Sequence, residues 1–300
     1  MIDQSLSRSL NGNGNTSIRH LLIQGKSYTI DILFPVFDQM VQLTKLPTVF
    51  TTIFAIFFGF QMLIFSFWPI GDFWGDASTP LSYITLIFWF VKSPPTTVSL
   101  LVVFIIHVVL FCFTFFWIFG FVIYYVNNLR FFTWGLYLTR FILECLYPIL
   151  VCSCQSLVGS SIYLLIHNEG AIYWAFVIIS IIMFVGYILI YSIGNATIGR
   201  SSCLAISLTS SFVQFIPSTF LVLNSVSSIF SYIFTVFPLY STLVLIFIHF
   251  VLVLMIAALT YLHIPYQHKY GNMYIAAIAA TQSIIDFVVF IFFIIDKTMS

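Results

Sequence analysis

Charge is what this chain has least of: Lys and Arg number 10, Asp and Glu 9, and together they make up 6% of its 300 residues. Binding along a nucleic acid needs clustered cations to neutralise phosphates. Here the basic residues are scattered and the net charge is +1, so no nucleic-acid partner is expected. Catalytic signatures are missing too. The sequence has no P-loop, G-x-G-x-x-G turn, H-E-x-x-H helix or G-x-S-x-G elbow, and no loop with paired carboxylates; neither an enzyme nor a cofactor is expected.

Cysteine pairs in hydrophilic loops are likewise absent. Cys112, Cys145, Cys152, Cys154 and Cys203 all lie within or beside apolar stretches, so they read as small hydrophobic side chains and not as a disulfide framework. Cys152-Ser153-Cys154 has the wrong spacing for a zinc ribbon or a thioredoxin-type pair. His263 and His268 do not share a helix face, and no metal is expected. The first strong apolar run begins only near Thr48, behind a polar lead, which argues against a cleavable signal peptide.

What the chain has in abundance is hydrophobic side chain: 61% of residues, 36 of them Phe, with a mean hydropathy of +1.10. A water-soluble domain of this length cannot hide so much apolar surface, so a lipid bilayer is the expected surrounding. About 20 apolar residues at 1.5 Å rise cross the roughly 30 Å hydrocarbon layer. That ruler places spans near Thr48–Trp68, Thr96–Val126, Phe141–Ile166, Ala171–Ile193, Cys203–Leu223, Leu239–Leu262 and Met273–Ile295. Two apolar pieces, Pro80–Val91 and Asn224–Phe237, are too short to cross and read as half-helices. The expected fold is an all-α polytopic transmembrane helix bundle of about seven spans with two short half-helices.

The remaining segments follow from composition. Residues 1–17 are polar and rich in Gly and Asn, and are expected to be disordered. Residues 18–47 form a juxtamembrane segment in which Pro35 to Lys45 alternate as an interfacial helix that Pro47 ends. The bundle occupies 48–295, and 296–300 is a short tail. Arg8, Arg19, Lys26 and Lys45 precede the first span, and Arg130, Arg200 and Lys269 fall in even-numbered loops, so the amino terminus is expected to be cytoplasmic in an integral membrane protein.

With so few ionisable residues inside spans, each is a candidate for function. Asp286 lies near the middle of the last span, where a charge costs about 2.5 to 3.5 kcal/mol on insertion scales and so must be protonated, paired or wet. His249 lies at similar depth in the preceding span, and antiparallel neighbours would bring the two together as a proton-shuttling pair. His107 reads as a packing histidine bonded to a carbonyl or a serine. Arg140 and Glu144 are spaced i, i+4, share a helix face and are expected to pair as a structural anchor at the start of the third span.

The stretch Leu33-Phe34-Pro35-Val36-Phe37-Asp38-Gln39, followed by Leu46-Pro47 and a Phe-rich span ending Phe67-Trp68-Pro69, carries a family resemblance. It is similar to the start of the multi-pass membrane regions of large protist proteins that bear a carboxyl-terminal adenylate/guanylate cyclase domain. The likeness covers the first quarter; beyond it the plan alone is shared. It implies a membrane scaffold or sensor module acting through other membrane or cytoplasmic signalling proteins. The sequence contains no cyclase domain, so no catalytic residue is carried over. The alternative from the residues themselves is a small-solute or ion transporter or channel built on Asp286 and His249.

Overall fold

The computed structural model describes residues 40, 43–44, 46–64, 78–91, 95–128, 130–168, 170–198, 239–263 and 269–299. The lead 1–17, most of the expected interfacial helix, the expected fifth span Cys203–Leu223 and the second half-helix Asn224–Phe237 lie outside the described residues. Among the described residues all regular structure is helical: α1 Thr48–Ile64, α2 Ser78–Trp89, α3 Thr97–Asn128, α4 Thr133–His167, α5 Ala171–Ile198, α6 Leu239–His263 and α7 Lys269–Met299. Five of these, α3 to α7, are long and apolar enough to cross a membrane, which marks an integral membrane protein; α1 and α2 are shorter apolar helices.

Pro47 has no N–H to extend a preceding helix, but its carbonyl accepts from Phe50 and Thr51, so α1 starts there. α2 has 12 residues, about 18 Å of helix, and corresponds to the half-helix expected at Pro80–Val91. It stops where Phe90 turns to a left-handed φ of 60°. α3 has 32 residues, about 48 Å, well beyond the hydrocarbon thickness.

α4 contains the expected third span and extends beyond it at the start. It begins at Thr133, not Phe141, and runs unbroken to His167. The sequence-based boundary treated Arg140 as a loop-side anchor, whereas its charge is met within the helix and by the segment before α1, so nothing ends the helix there. A π-turn, Ile142–Leu146, interrupts the α geometry, with Tyr147 N–H reaching back to Ile142 O. Pro148 follows directly; its ring would collide with the carbonyl of Glu144 and it has no N–H to offer, and a wider turn relieves both problems. α5 and α7 also outrun their expected ends: α5 continues to Ile198, and α7 carries through the expected tail to Met299, since nothing in Asp296-Lys297-Thr298 breaks a helix.

α4 is the hub. An apolar 18-residue stretch of it is 78% buried, against 22% in α3 and 28% in α5. α3 runs antiparallel to it, with Tyr147 OH donating to Thr114 Oγ1 at 3.3 Å and Trp117 Nε1 to Thr139 Oγ1 at 3.1 Å. α5 packs on another side through Tyr147 and Tyr187, ring centroids 5.4 Å apart. α1 and α2 complete the sheath.

α6 and α7 form an antiparallel hairpin that joins the rest mainly along α1. There Tyr274 OH donates to Ala55 O at 2.7 Å, and Gly59 leaves room: an added Cβ would lie 2.7 Å from Ile278 Cδ1. Gly59→Leu is expected to wedge this seam apart at a cost of about 1 to 3 kcal/mol, the range for overpacking a tight contact. Thermal unfolding in detergent checks it, and an unchanged midpoint would refute the assigned contact.

Candidate functional site

Two of the nominated residues meet in the α6/α7 hairpin. α6 buries Ile246, His249, Val253, Ile256 and Thr260, and α7 buries Ile275, Ala279, Gln282, Asp286, Val289 and Phe293. These positions recur in alternating steps of three and four, the repeat that keeps one seam of a helix on its partner, and the small Ala257 and Ala279 let the backbones approach. Within the seam His249 Nδ1 lies 2.9 Å from Asp286 Oδ2, with the side chains 2% and 0% exposed. Phe250 with Phe287 and Phe247 with Phe290 pair across the same two helices, ring centroids 5.5 and 5.8 Å apart.

The chemistry of this pair follows from its atoms. A carboxylate oxygen has no proton to give, so the imidazole carries any proton shared across this contact, which is an ion pair when the ring is charged. Imidazole and carboxyl groups both exchange protons, so the pair brings together the kind of groups that a proton relay uses.

A second polar centre lies where α2 ends inside the bundle. A helix leaves its last carbonyls without partners, and in hydrocarbon they must be met by side chains. Gln61 Nε2 of α1 donates to Phe88 O at 2.7 Å, and Ser153 Oγ of α4 donates to Trp89 O at 2.9 Å. Trp89 Nε1 returns a bond to Gln61 O at 3.3 Å. His107 of α3, about 15 Å along the helix from Thr97, places Nε2 2.8 Å from the same Ser153 Oγ. The single hydroxyl proton goes to the Trp89 carbonyl, so His107 must be the donor, and the neutral ring is the Nε2–H tautomer with Nδ1 left as an acceptor. Tyr187 OH donates to His107 O at 3.4 Å.

Arg140 and Glu144 also come together. Arg140 Nε donates to Glu144 Oε1 at 2.9 Å, the side chains being 3% and 13% exposed. Arg140 Nη1 donates to Thr44 O as well, tying the segment before α1 to α4. Among the described residues no group of His, Cys, Asp or Glu has the makings of a metal site. Cys145, Cys152 and Cys154 are buried free thiols and Cys112 is an exposed one; Cys203 and His268 lie outside the described residues.

Sequence reasoning missed Gln61, Trp89 and Ser153. Their signal was present only in part: Gln61 is the single amide in α1, set in an apolar run after Thr52, which calls for an internal partner. No family model, curated protein or solved structure matches the chain. The functional reading therefore rests on these polar groups.

Proposed function

We propose that the protein is an ion transporter or channel that carries protons, with the His249–Asp286 pair as its protonation centre. The observation behind this is the 2.9 Å contact of two ionisable side chains, each almost fully buried, on facing helices of membrane-spanning length. An intramembrane ionisable pair is expensive to keep and is the usual mark of a proton relay. On this reading the chain crosses the bilayer about seven times, with the amino terminus on the cytoplasmic side, where Arg8, Arg19, Lys26 and Lys45 gather.

Proton flux into proteoliposomes under a potassium diffusion potential, read with an internal pH dye, is the test. Wild type is expected to conduct and Asp286→Asn to lose nearly all of the flux while eluting and melting as a folded protein. Equal flux in the two proteins, or none in wild type, overturns the reading.

A second reading is favoured by the seam itself. A buried polar pair in a largely apolar heptad fixes register and partner choice, which would suit a scaffold or sensor module of the cyclase-associated kind acting through signalling partners. It requires a wild type without flux and an associated membrane or cytoplasmic protein.

A further inference from the structure

The helices expose apolar side chains over unequal lengths. On α6 these run from Val244 to Leu262 and on α7 from Met273 to Ile295, about 27 and 33 Å of helix, close to the roughly 30 Å hydrocarbon layer. On α3 they run from Val98, 75% exposed, to Val126, 44% exposed, which is about 42 Å. Between Leu100 and Val126 the only Ser, Thr, Asn, Gln, His or charged residues are His107 and Thr114, and both are buried. Nothing on the exposed side of α3 therefore marks a place for the hydrocarbon to stop. Thr96, Thr97 and Ser99 bound the run at one end, and Asn127, Asn128 and Arg130 at the other.

Tilt does not absorb the excess. Fitting about 42 Å into 30 Å by tilt alone needs about 45°, beyond the roughly 0 to 40° of transmembrane helices. α3 is also held alongside α4 at successive levels, His107 by Ser153, Thr114 by Tyr147 and Trp117 by Thr139, so it cannot lean by itself. A length of about 30 Å counted from Thr97 ends at Trp117. Beyond it Phe119, Ile123 and Val126 follow the exposed Phe116 in steps of three and four, and so prolong the lipid-facing seam of Val102, Ile105, Val109 and Phe116 without a break. The cover continuous with that seam is lipid, and only longer acyl chains reach its end.

We propose that the exposed face of α3 is a binding surface for long-chain phospholipids, which it gathers along its own flank while the α6/α7 hairpin fits a bilayer of ordinary thickness. This rests on the chain being an integral membrane protein and not on proton transport.

Lipid competition around the full-length protein tests it. Intrinsic Trp fluorescence is read in vesicles of brominated dioleoylphosphatidylcholine, a quencher, mixed with either dimyristoleoyl- or dierucoyl-phosphatidylcholine; an added lipid restores fluorescence to the extent that it displaces the quencher from the protein. The long-chain dierucoyl lipid is expected to displace it on the order of threefold better than the short-chain one. Phe119→Ser, Ile123→Ser and Val126→Ser together end the seam at Phe116, a run of about 27 Å, and should remove that preference. All three side chains are exposed, so no core contact is lost. Equal displacement by the two lipids in wild type, or an undiminished preference in the folded triple variant, overturns the proposal; if the variant fails to fold, the wild-type ranking decides. Equal displacement together with differently tagged copies that co-purify at high dilution would assign the seam to a second copy of the chain instead.

Discussion

Arg140→Ala is expected to destabilise the full-length protein by about 3 to 5 kcal/mol, the range for removing one partner of a buried ion pair. Arg140 is 3% exposed and Glu144 13%, so the carboxylate left behind would have little water to turn to. The guanidinium also bonds the Thr44 carbonyl, which would lose its partner in the same step. Replacing both charges with apolar residues of similar volume, Arg140→Met with Glu144→Leu, should recover most of the loss, because no charge then stays stranded. Denaturant unfolding in detergent micelles measures both, and faster tryptic cleavage after Lys45 in Arg140→Ala would report release of the Thr44 segment. A loss below about 1 kcal/mol would put the pair in the class of solvated surface bridges and remove it as the tie between that segment and α4.

The second large effect concerns the α6/α7 seam, where the order of the variants carries the argument. His249→Leu leaves Asp286 as a carboxylate without its imidazole in an apolar seam, and should cost about 3 to 5 kcal/mol. Asp286→Leu should cost less, because the imidazole that remains has a neutral form. The double variant should return close to wild-type stability, since Leu fits the three-and-four repeat that surrounds it. A double variant no more stable than His249→Leu would mean that the two side chains do not act on one another. If the double variant folds and conducts no protons, the pair's chemical role is separated from its role in helix pairing.

Hydropathy made the order of the described helices legible, fell short of the full extents of α4, α5 and α7, and left the rotation of the helices about their own axes open. α3 has exposed apolar side chains such as Phe113, Phe116 and Phe119 on one side and Leu100, Val103 and Phe121 buried on another, so an apolar count cannot tell its lipid face from its packed face. Rotation is set by the few polar groups. Asp286 and His249 could be paired from sequence because each is the lone ionisable group of its mid-span and the two helices are consecutive. Arg140 and Glu144 were legible from their spacing. The Gln61–Trp89–Ser153–His107 cluster was not, because it joins four helices across contacts of up to 64 positions along the chain, and no local pattern encodes such a meeting. An apolar count passes over Pro148 and the irregular turn it accompanies, and the helix start at Thr133 was obscured by the charge of Arg140, whose partner Thr44 is likewise remote.

The π-turn of α4 has a geometric result that reaches beyond its five residues. A wide turn inserts one residue relative to α-helical phase, and one residue corresponds to about 100° of rotation. Upstream, the helix aims Arg140 at the strap leading into α1; downstream, it aims Ser153 at the end of α2 and at α3. A single rigid rod thereby addresses two neighbours at different azimuths, as two keyed sections cut out of phase on one shaft.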